Sequence, residues 1–293
     1  MTPSFDAPNA QLATFTTPDG EQLALYDWPL PATQRHGTVL MVHGLGEHMG
    51  RYAHVAQLLN GWGFAACGYD HYGHGRSSGP RGGLTQDDRL VTDLADIMDA
   101  TRQRMQPHEP LVLLGHSLGG LVAAYAVALG LRPVDGLVLS SPALDTGMSG
   151  LQKLLVAVMP TLAPNLRVGN GLQVQALSHD PAVVAAYQAD ALCHDRVSAR
   201  LGRFIAQAGP ATLARAPAWS VPTLLLWAGD DQLVRPAGSA AFAASAPAAS
   251  VQAQCFDGLY HEIFNETAER AAPVFKQLHT WLIQMSETVF SGK

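Results

Sequence analysis

The chain has 293 residues, 47% of them hydrophobic, enough to fill the core of one large domain or two modest ones. Its 24 acidic and 18 basic residues leave a formal charge of -6, and no Lys/Arg run is present to follow a phosphate backbone, which argues against nucleic acid as a partner. The opening MTPSFDAPNAQLATF lacks a basic segment leading into an apolar one, so neither a secretory leader nor a membrane span is indicated and a cytoplasmic protein is expected.

In chain order, apolar runs of strand length bounded by Gly, Pro or Asp fall at 22–27, 38–42, 64–68, 111–114, 136–139, 223–227 and 251–256. Helical patterns lie between most of them. One spans 51–60 and stops at Gly61, one spans 85–105 with Leu90, Leu94, Ile97 and Met98 on a single face, and one spans 118–129 and stops at Gly130. Doubly buried strands alternating with helices predict an α/β fold with a mainly parallel sheet. Between Pro142 and about Pro222 the alternation gives way to amphipathic helices with no convincing strand, which reads as an inserted helical cap. Its opening, MSGLQKLLVAVMPTLAP, is apolar over much of its circumference yet too short to cross a bilayer. Packing within the cap is the plain reading of that stretch, and a lip in peripheral contact with a membrane is the alternative. The alanine-rich run at 240–250 reads as a helix with a proline-marked end. Cys67, Cys193 and Cys255 stand apart without a CxxC pair and read as buried thiols rather than disulfides or a structural zinc site.

The chemistry is signalled by Gly115-x-Ser117-x-Gly119. A predicted strand ends just before it and a predicted helix begins at Leu118, so Ser117 sits on the sharp turn between them. Residues without bulk at 115 and 119 let strand and helix pass closely, and the turn lifts the hydroxyl above the sheet edge. The helix start turns unpaired N–H groups, that of Leu118 among them, toward a developing oxyanion. The lysine of a P-loop and the spacing of a dinucleotide fingerprint are both missing from GHSLGG.

A serine hydroxyl needs a histidine to take its proton, and the histidine needs a carboxylate to fix its tautomer. His261 falls in the loop after the last predicted strand. The strand at 223–227 is followed by AGDDQLV, which offers Asp230 and Asp231; spacing does not separate them, and the spare one suits a cap or turn. The order Ser, Asp, His is that of a nucleophile elbow on such a sheet.

Four segments, HGLGEHMGRY (43–52), DHYGHGRSSGPRG (70–82), GHSLGG (115–120) and YHEIFNE (260–266), resemble the monoacylglycerol lipase and lysophospholipase branch of the α/β-hydrolases, the serine aminopeptidase S33-like (Hydrolase_4) family. A fifth, HDPAVVAAYQADALC (179–193), resembles that branch's cap signature. The resemblance implies the α/β-hydrolase fold, with a core at 1–142 and 219–293 and a helical cap at 143–218. It also implies the Leu45 N–H as the second oxyanion donor and Asp231 as the triad acid, three residues before the apolar Val234. Glu47 and Arg51 are expected to pair and shape the oxyanion loop, and with His116 and Tyr187 to border the substrate, Tyr187 at the glycerol end. His71 and His74 are assigned a structural role in their loop, with no metal and no cofactor. The chain departs from the pattern at Ser178-His179-Asp180, where relatives often carry Arg in the middle, and at Asp190-Ala191, where they often carry Asp-Pro.

The expected reaction is hydrolysis of a carboxylic ester through an acyl-enzyme, on a monoacylglycerol first, a lysophospholipid second and small esters third. Ser117 argues against a dehalogenase or an epoxide hydrolase, which would be expected to use Asp there. An aminopeptidase would need a carboxylate to hold an amino group, and a non-catalytic ligand-binding relative is at odds with an intact Ser117, Asp231 and His261. Neither oligomeric state nor acyl length is legible.

Overall fold

The computed structural model describes residues 9–291. The first eight residues, part of the stretch read above for a leader, lie outside it. The strands, in chain order, are β1 (Gln11–Thr16), β2 (Gln22–Trp28), β3 (Gly37–Val42), β4 (Phe64–Tyr69), β5 (Leu111–His116), β6 (Gly136–Ser140), β7 (Arg167–Gly169), β8 (Arg196–Ser198), β9 (Thr223–Ala228) and β10 (Val251–Phe256). The α-helices are α1 (Ala53–Gly61), α2 (Arg89–Arg102), α3 (Leu118–Ala128), α4 (Gly150–Leu162), α5 (Pro181–Ala189), α6 (Ala199–Arg215), α7 (Pro236–Ser245) and α8 (Ala268–Ser291).

Eight strands form one sheet in the order β1-β2-β4-β3-β5-β6-β9-β10. The β1–β2 and β2–β4 pairs are antiparallel and the remaining pairs parallel. Every residue of β3, β4 and β5 is buried, because helices cover both faces. Side chains alternate across the sheet as strand geometry requires. Leu40, Val42, Leu111, Leu113, Leu137 and Leu139 pack with Leu90 and Leu94 of α2 and Leu121 and Val122 of α3. Val39, Met41, Val112, Leu114, Val138, Leu224 and Leu226 face the other way, onto Val55 and Leu59 of α1 and Val274, Leu278 and Leu282 of α8.

The seven predicted strands are present, each within two residues of its expected end. β1 was missed: QLATFT is almost wholly exposed and carries no apolar period, so only its pairing with β2 makes it a strand. The alanine-rich helix α7 stops at Ser245, two residues before Pro247, with Ala246 extended as a residue preceding proline should be. Of the three expected buried thiols only Cys67 is buried; Cys193 is half-buried and Cys255 exposed, since β10 is an edge strand whose middle residues are open to solvent.

Between β6 and β9 the chain forms α4, β7, α5, β8 and α6. The expectation that no strand lies here is corrected by β7 and β8, which pair antiparallel over Arg167↔Ser198 to Gly169↔Arg196. Three residues each are too few to show a period. Helix α4 opens on a capping box in which the Ser149 hydroxyl accepts the Gln152 N–H and the Gln152 side chain accepts the Ser149 N–H. Helix α6 lies against both α3 and α4.

Candidate active site

Strands β3, β5, β9 and β10 run parallel, and the loops leaving their carboxyl ends carry His43, Ser117, Asp231 and His261. Such an edge is where open α/β sheets hold their ligands.

Ser117 joins β5 to α3 with no intervening residue and adopts φ 53° and ψ −118°. That backbone costs a residue with a Cβ about 1–3 kcal/mol. It is held by bonds on both sides: the Ser117 N–H donates to Ser140 O, and the Ser117 carbonyl accepts from Leu121 and Ala143, each at 3.0 Å. The crossing is possible because Gly119 has no side chain; a Cβ there would stand 2.1 Å from the Val42 carbonyl oxygen. Leu118 is the first residue of α3, so its N–H is one of the donors that a helix start leaves without an intrahelical acceptor.

Asp231 follows β9. Its Oδ1 accepts the N–H groups of Leu233 (2.8 Å) and Val234 (2.9 Å), and its Oδ2 lies 2.6 Å from His261 Nδ1. Asp230 is exposed and engages through its backbone, its N–H reaching Leu259 O at 3.2 Å. Asp231 is therefore the member of the pair that meets the histidine. Burial alone would depress the His261 imidazole, but the Asp231 carboxylate beside it outweighs burial and leaves its pKa raised. Burial pushes Asp231 the other way, and the His261 charge overcomes it and holds the carboxyl below its ordinary range. Nδ1 is thus the protonated nitrogen of the neutral ring, and Nε2 is left as an acceptor.

The loop after β3 is fastened from three directions. Glu47 is buried and accepts the Gly44 N–H at 2.6 Å and the Tyr52 hydroxyl at 2.7 Å through Oε1. Its Oε2 takes Arg51 Nη1. Gly46, at φ 76°, offers its carbonyl to the His194 N–H (2.8 Å) and the Tyr187 hydroxyl (3.1 Å); a Cβ at 46 would lie 2.3 Å from His194 O. On the far side Asp70 Oδ1 accepts the Met49 N–H at 2.7 Å, which ties in the loop that contains His71 and His74. Those two histidines pack edge-on and tilted against His43 in a buried cluster, with the His71 backbone N–H donating to His43 Nε2 at 2.9 Å.

Ser117, His261, Leu45, Glu47, His116 and Tyr187 all line one small cavity of about 30 Å³. His116 packs its ring 4.8 Å from that of His261 and meets Ser140 Oγ at 3.1 Å. Burial, then the neighbouring His261, pushes its pKa down to about 3, so it stays neutral there. Arg51 does not line the cavity. Its guanidinium is fully buried between Glu47 and Glu262, bidentate to the latter at 2.6 and 2.7 Å, with the Tyr187 ring 5.0 Å away. The expected Glu47–Arg51 pair is present as a buried pair rather than a surface one.

Sequence reasoning passed over Glu262. It is the residue after His261, so its ion pair links the histidine loop through Arg51 to Glu47, which holds Gly44. Its charge inside the apolar run YHEIF was the available signal. Glu266 was missed as well: its Oε1 accepts from Tyr260 N–H (2.8 Å) and meets His179 Nδ1 (2.7 Å), while the His179 ring stacks on Tyr260 at 3.6 Å. The departure at His179 therefore has a partner of its own. The apolar wall of Leu172, Val174, Leu177 and Leu233 is read only from the structure.

Residues 33–268 match the family described as serine aminopeptidase S33, Hydrolase_4. A monoacylglycerol lipase of Mycolicibacterium smegmatis is 35% identical over 88% of this chain and 92% of its own length. Phospholipase YtpA of Bacillus subtilis is 30% identical over 82% and 93%. The crystal structure of the Paleococcus ferrophilus monoacylglycerol lipase superposes with a TM-score of 0.78 at 31% identity, covering 94% of this chain and 99% of that one. With a doubly covered, mainly parallel eight-stranded sheet and a family match across most of its length, the chain belongs to the serine aminopeptidase S33 (Hydrolase_4) family of α/β-hydrolases.

Proposed function

We propose that this serine ester hydrolase releases fatty acid and glycerol from monoacylglycerols. Ser117 Oγ attacks the ester carbonyl. His261 Nε2 takes its proton and returns it to the leaving alcohol, while Asp231 holds the imidazolium and its tautomer. The Leu45 and Leu118 N–H groups receive the oxyanion, and water then repeats the sequence on the acyl-enzyme. The observation that carries this reading is the 2.6 Å contact of His261 Nδ1 with Asp231, made by a histidine that lines the same cavity as Ser117.

The substrate assignment is supported by the monoacylglycerol lipases among the relatives and by the shape of the β6–β9 segment, which we assign as the cap at 143–218. The 30 Å³ space beside Ser117 holds little more than the reacting group, since small-molecule pockets run to about 300–1,000 Å³. A second cavity of about 370 Å³ lies between α4 and α6, lined by Leu144, Met148, Val156 and Ile205 among others. It shares no lining residue with the space beside Ser117. Leu154, Val158, Leu162, Leu166 and Val168 are exposed along α4 and the chain after it, a face suited to peripheral contact with a lipid surface. No helix among the described residues is long and apolar enough to cross a membrane. The Bacillus subtilis phospholipase keeps lysophospholipid as the second reading.

The assignment is tested by treating the protein with a serine-directed fluorophosphonate and locating the adduct by mass spectrometry. A single adduct on Ser117, lost with hydrolysis of monoacylglycerol in Ser117→Ala, is the expected result. Labelling elsewhere, or hydrolysis that survives the substitution, overturns it.

A further inference from the structure

Cys193 has no part in the proposed reaction, yet the fold brings it to the shoulder of the oxyanion loop. His48 follows Glu47 and caps the turn Met49–Tyr52; Asp190 ends α5; Cys193 closes the tight turn after it, with its N–H on Asp190 O at 3.1 Å. One ring nitrogen of His48, one carboxylate oxygen of Asp190 and the Cys193 sulfur lie within 4.8 Å of one another, a grouping of potential ligands found once among the described residues. His48 Nε2 is already 2.8 Å from Asp190 Oδ2. His48 is buried, whereas Asp190 and Cys193 are partly open to solvent, so an ion has a route in. No sequence spacing announces the group, because His48 and Asp190 are 142 residues apart.

We propose that His48 Nε2, an Asp190 carboxylate oxygen and Cys193 Sγ form a site for a thiophilic divalent cation, Zn²⁺ above all, with water as the fourth ligand. Imidazole, carboxylate and thiolate are zinc's ordinary donors, and a tetrahedral ion with bonds of about 2.0–2.3 Å separates them by roughly 3.3–3.7 Å. Binding therefore opens the His48–Asp190 contact slightly and draws the sulfur in by about an ångström. The proton balance is definite. Cys193 loses its thiol proton to solvent as the sulfur takes up the ion.

Movement of the His48 ring gives the site a consequence for turnover. Nδ1 of His48 accepts the Gly50 N–H at 3.2 Å, and the shift of the ring toward the ion lengthens this contact. The turn it caps carries Arg51 and Tyr52, the two groups that hold Glu47 against Gly44. None of the three ligands lines the cavity that holds Ser117. The ion thus lowers kcat by loosening the oxyanion loop and leaves KM little changed. This consequence rests on the ester hydrolysis proposed above, whereas binding does not.

The test uses untagged, chelator-treated protein titrated with Co²⁺ and then Zn²⁺. Expected are one ion per chain and a thiolate-to-cobalt charge-transfer band that Zn²⁺ erases. Cys193→Ser should lose the band while keeping its melting temperature and basal activity, and Asp190→Asn should keep the thiol but bind at least about 10-fold more weakly, since a direct ligand counts for no less than the outer-shell partners whose loss costs that much. On an ester substrate, Zn²⁺ should lower kcat in the parent and leave Cys193→Ser untouched. A cobalt complex without the band, or Zn²⁺ bound equally well by Cys193→Ser, overturns the site. The band with kcat unmoved by Zn²⁺ overturns the coupling to the oxyanion loop. Because the band is read without substrate, failure of ester hydrolysis is distinguishable from failure of the site.

Discussion

Replacing Asp231 by Asn changes one atom and should nearly silence the enzyme, for a reason visible in its hydrogen bonds. Oδ1 is committed to the N–H groups of Leu233 and Val234, which only an oxygen can satisfy. The new amide nitrogen must therefore occupy the Oδ2 position, 2.6 Å from His261 Nδ1. Two donors cannot share that contact, so the ring moves its proton to Nε2, the nitrogen that has to accept the Ser117 proton. A wrong tautomer of this kind costs about 10⁴-fold in kcat, or about 5.4 kcal/mol of transition-state stabilisation. The fold should hold, since the two backbone bonds to residue 231 remain. Asp230→Asn, at an exposed side chain, should behave as the parent. The assay is kcat on a soluble chromogenic ester, with thermal melting as the control for folding. An Asp231→Asn enzyme within about tenfold of the parent, or equal losses from the two substitutions, refutes the reasoning.

The buried histidines predict acid lability. Burial pushes the pKa values of His43, His71 and His74 well below 6.5, so under mild acid the unfolded chain binds protons that the folded one refuses, and stability falls as pH drops through 6.5. At pH 5.5 this amounts to about 1.4 kcal/mol for each, roughly 4 kcal/mol together. His261, whose folded-state pKa is raised, works in the opposite sense and offsets part of it; denaturant titrations at pH 7.5 and 5.5 would check the sign, and equal stabilities would contradict it. Glu262→Gln should cost about 3 kcal/mol, because Arg51 is left buried with half its charge partners, and it should lower kcat/KM by loosening both the histidine loop and the oxyanion loop. Unchanged stability in a urea titration would show that the pair is dispensable. Replacing Leu154 and Leu155 together by Ser should weaken sedimentation with liposomes without lowering the melting temperature, since both side chains are about half exposed or more, at 60% and 48%; equal binding would assign that face to packing alone.

What the sequence disclosed and what it hid divide along a physical line. The turn at Ser117 was legible because it is local: an apolar strand, a compact GHSLG and an apolar helix lie within 18 residues of one another, at 111–128. The strands of the sheet were legible because both their faces are buried, which leaves unbroken apolar runs. β1 was not, since an edge strand of QLATFT is made by its partner alone. Nor were the contacts that close the site. Arg51 finds Glu262 across 211 residues, His48 finds Asp190 across 142, and His179 finds Glu266 across 87, and in each case only the fold selects the partner. The two aspartates show the boundary well. Spacing left Asp230 and Asp231 equal, the family resemblance favoured the second, and the geometry of Leu233, Val234 and His261 around one carboxylate gives the physical reason.

The central claim is the identity of the ester, and it is tested most directly by measuring fatty-acid release from monoacylglycerols of graded chain length beside lysophospholipids of the same acyl chains, with Ser117→Ala as the blank. The account predicts faster release from the glycerol ester than from the lysophospholipid of the same acyl chain. Faster release from the lysophospholipids, or hydrolysis confined to short generic esters, would contradict it.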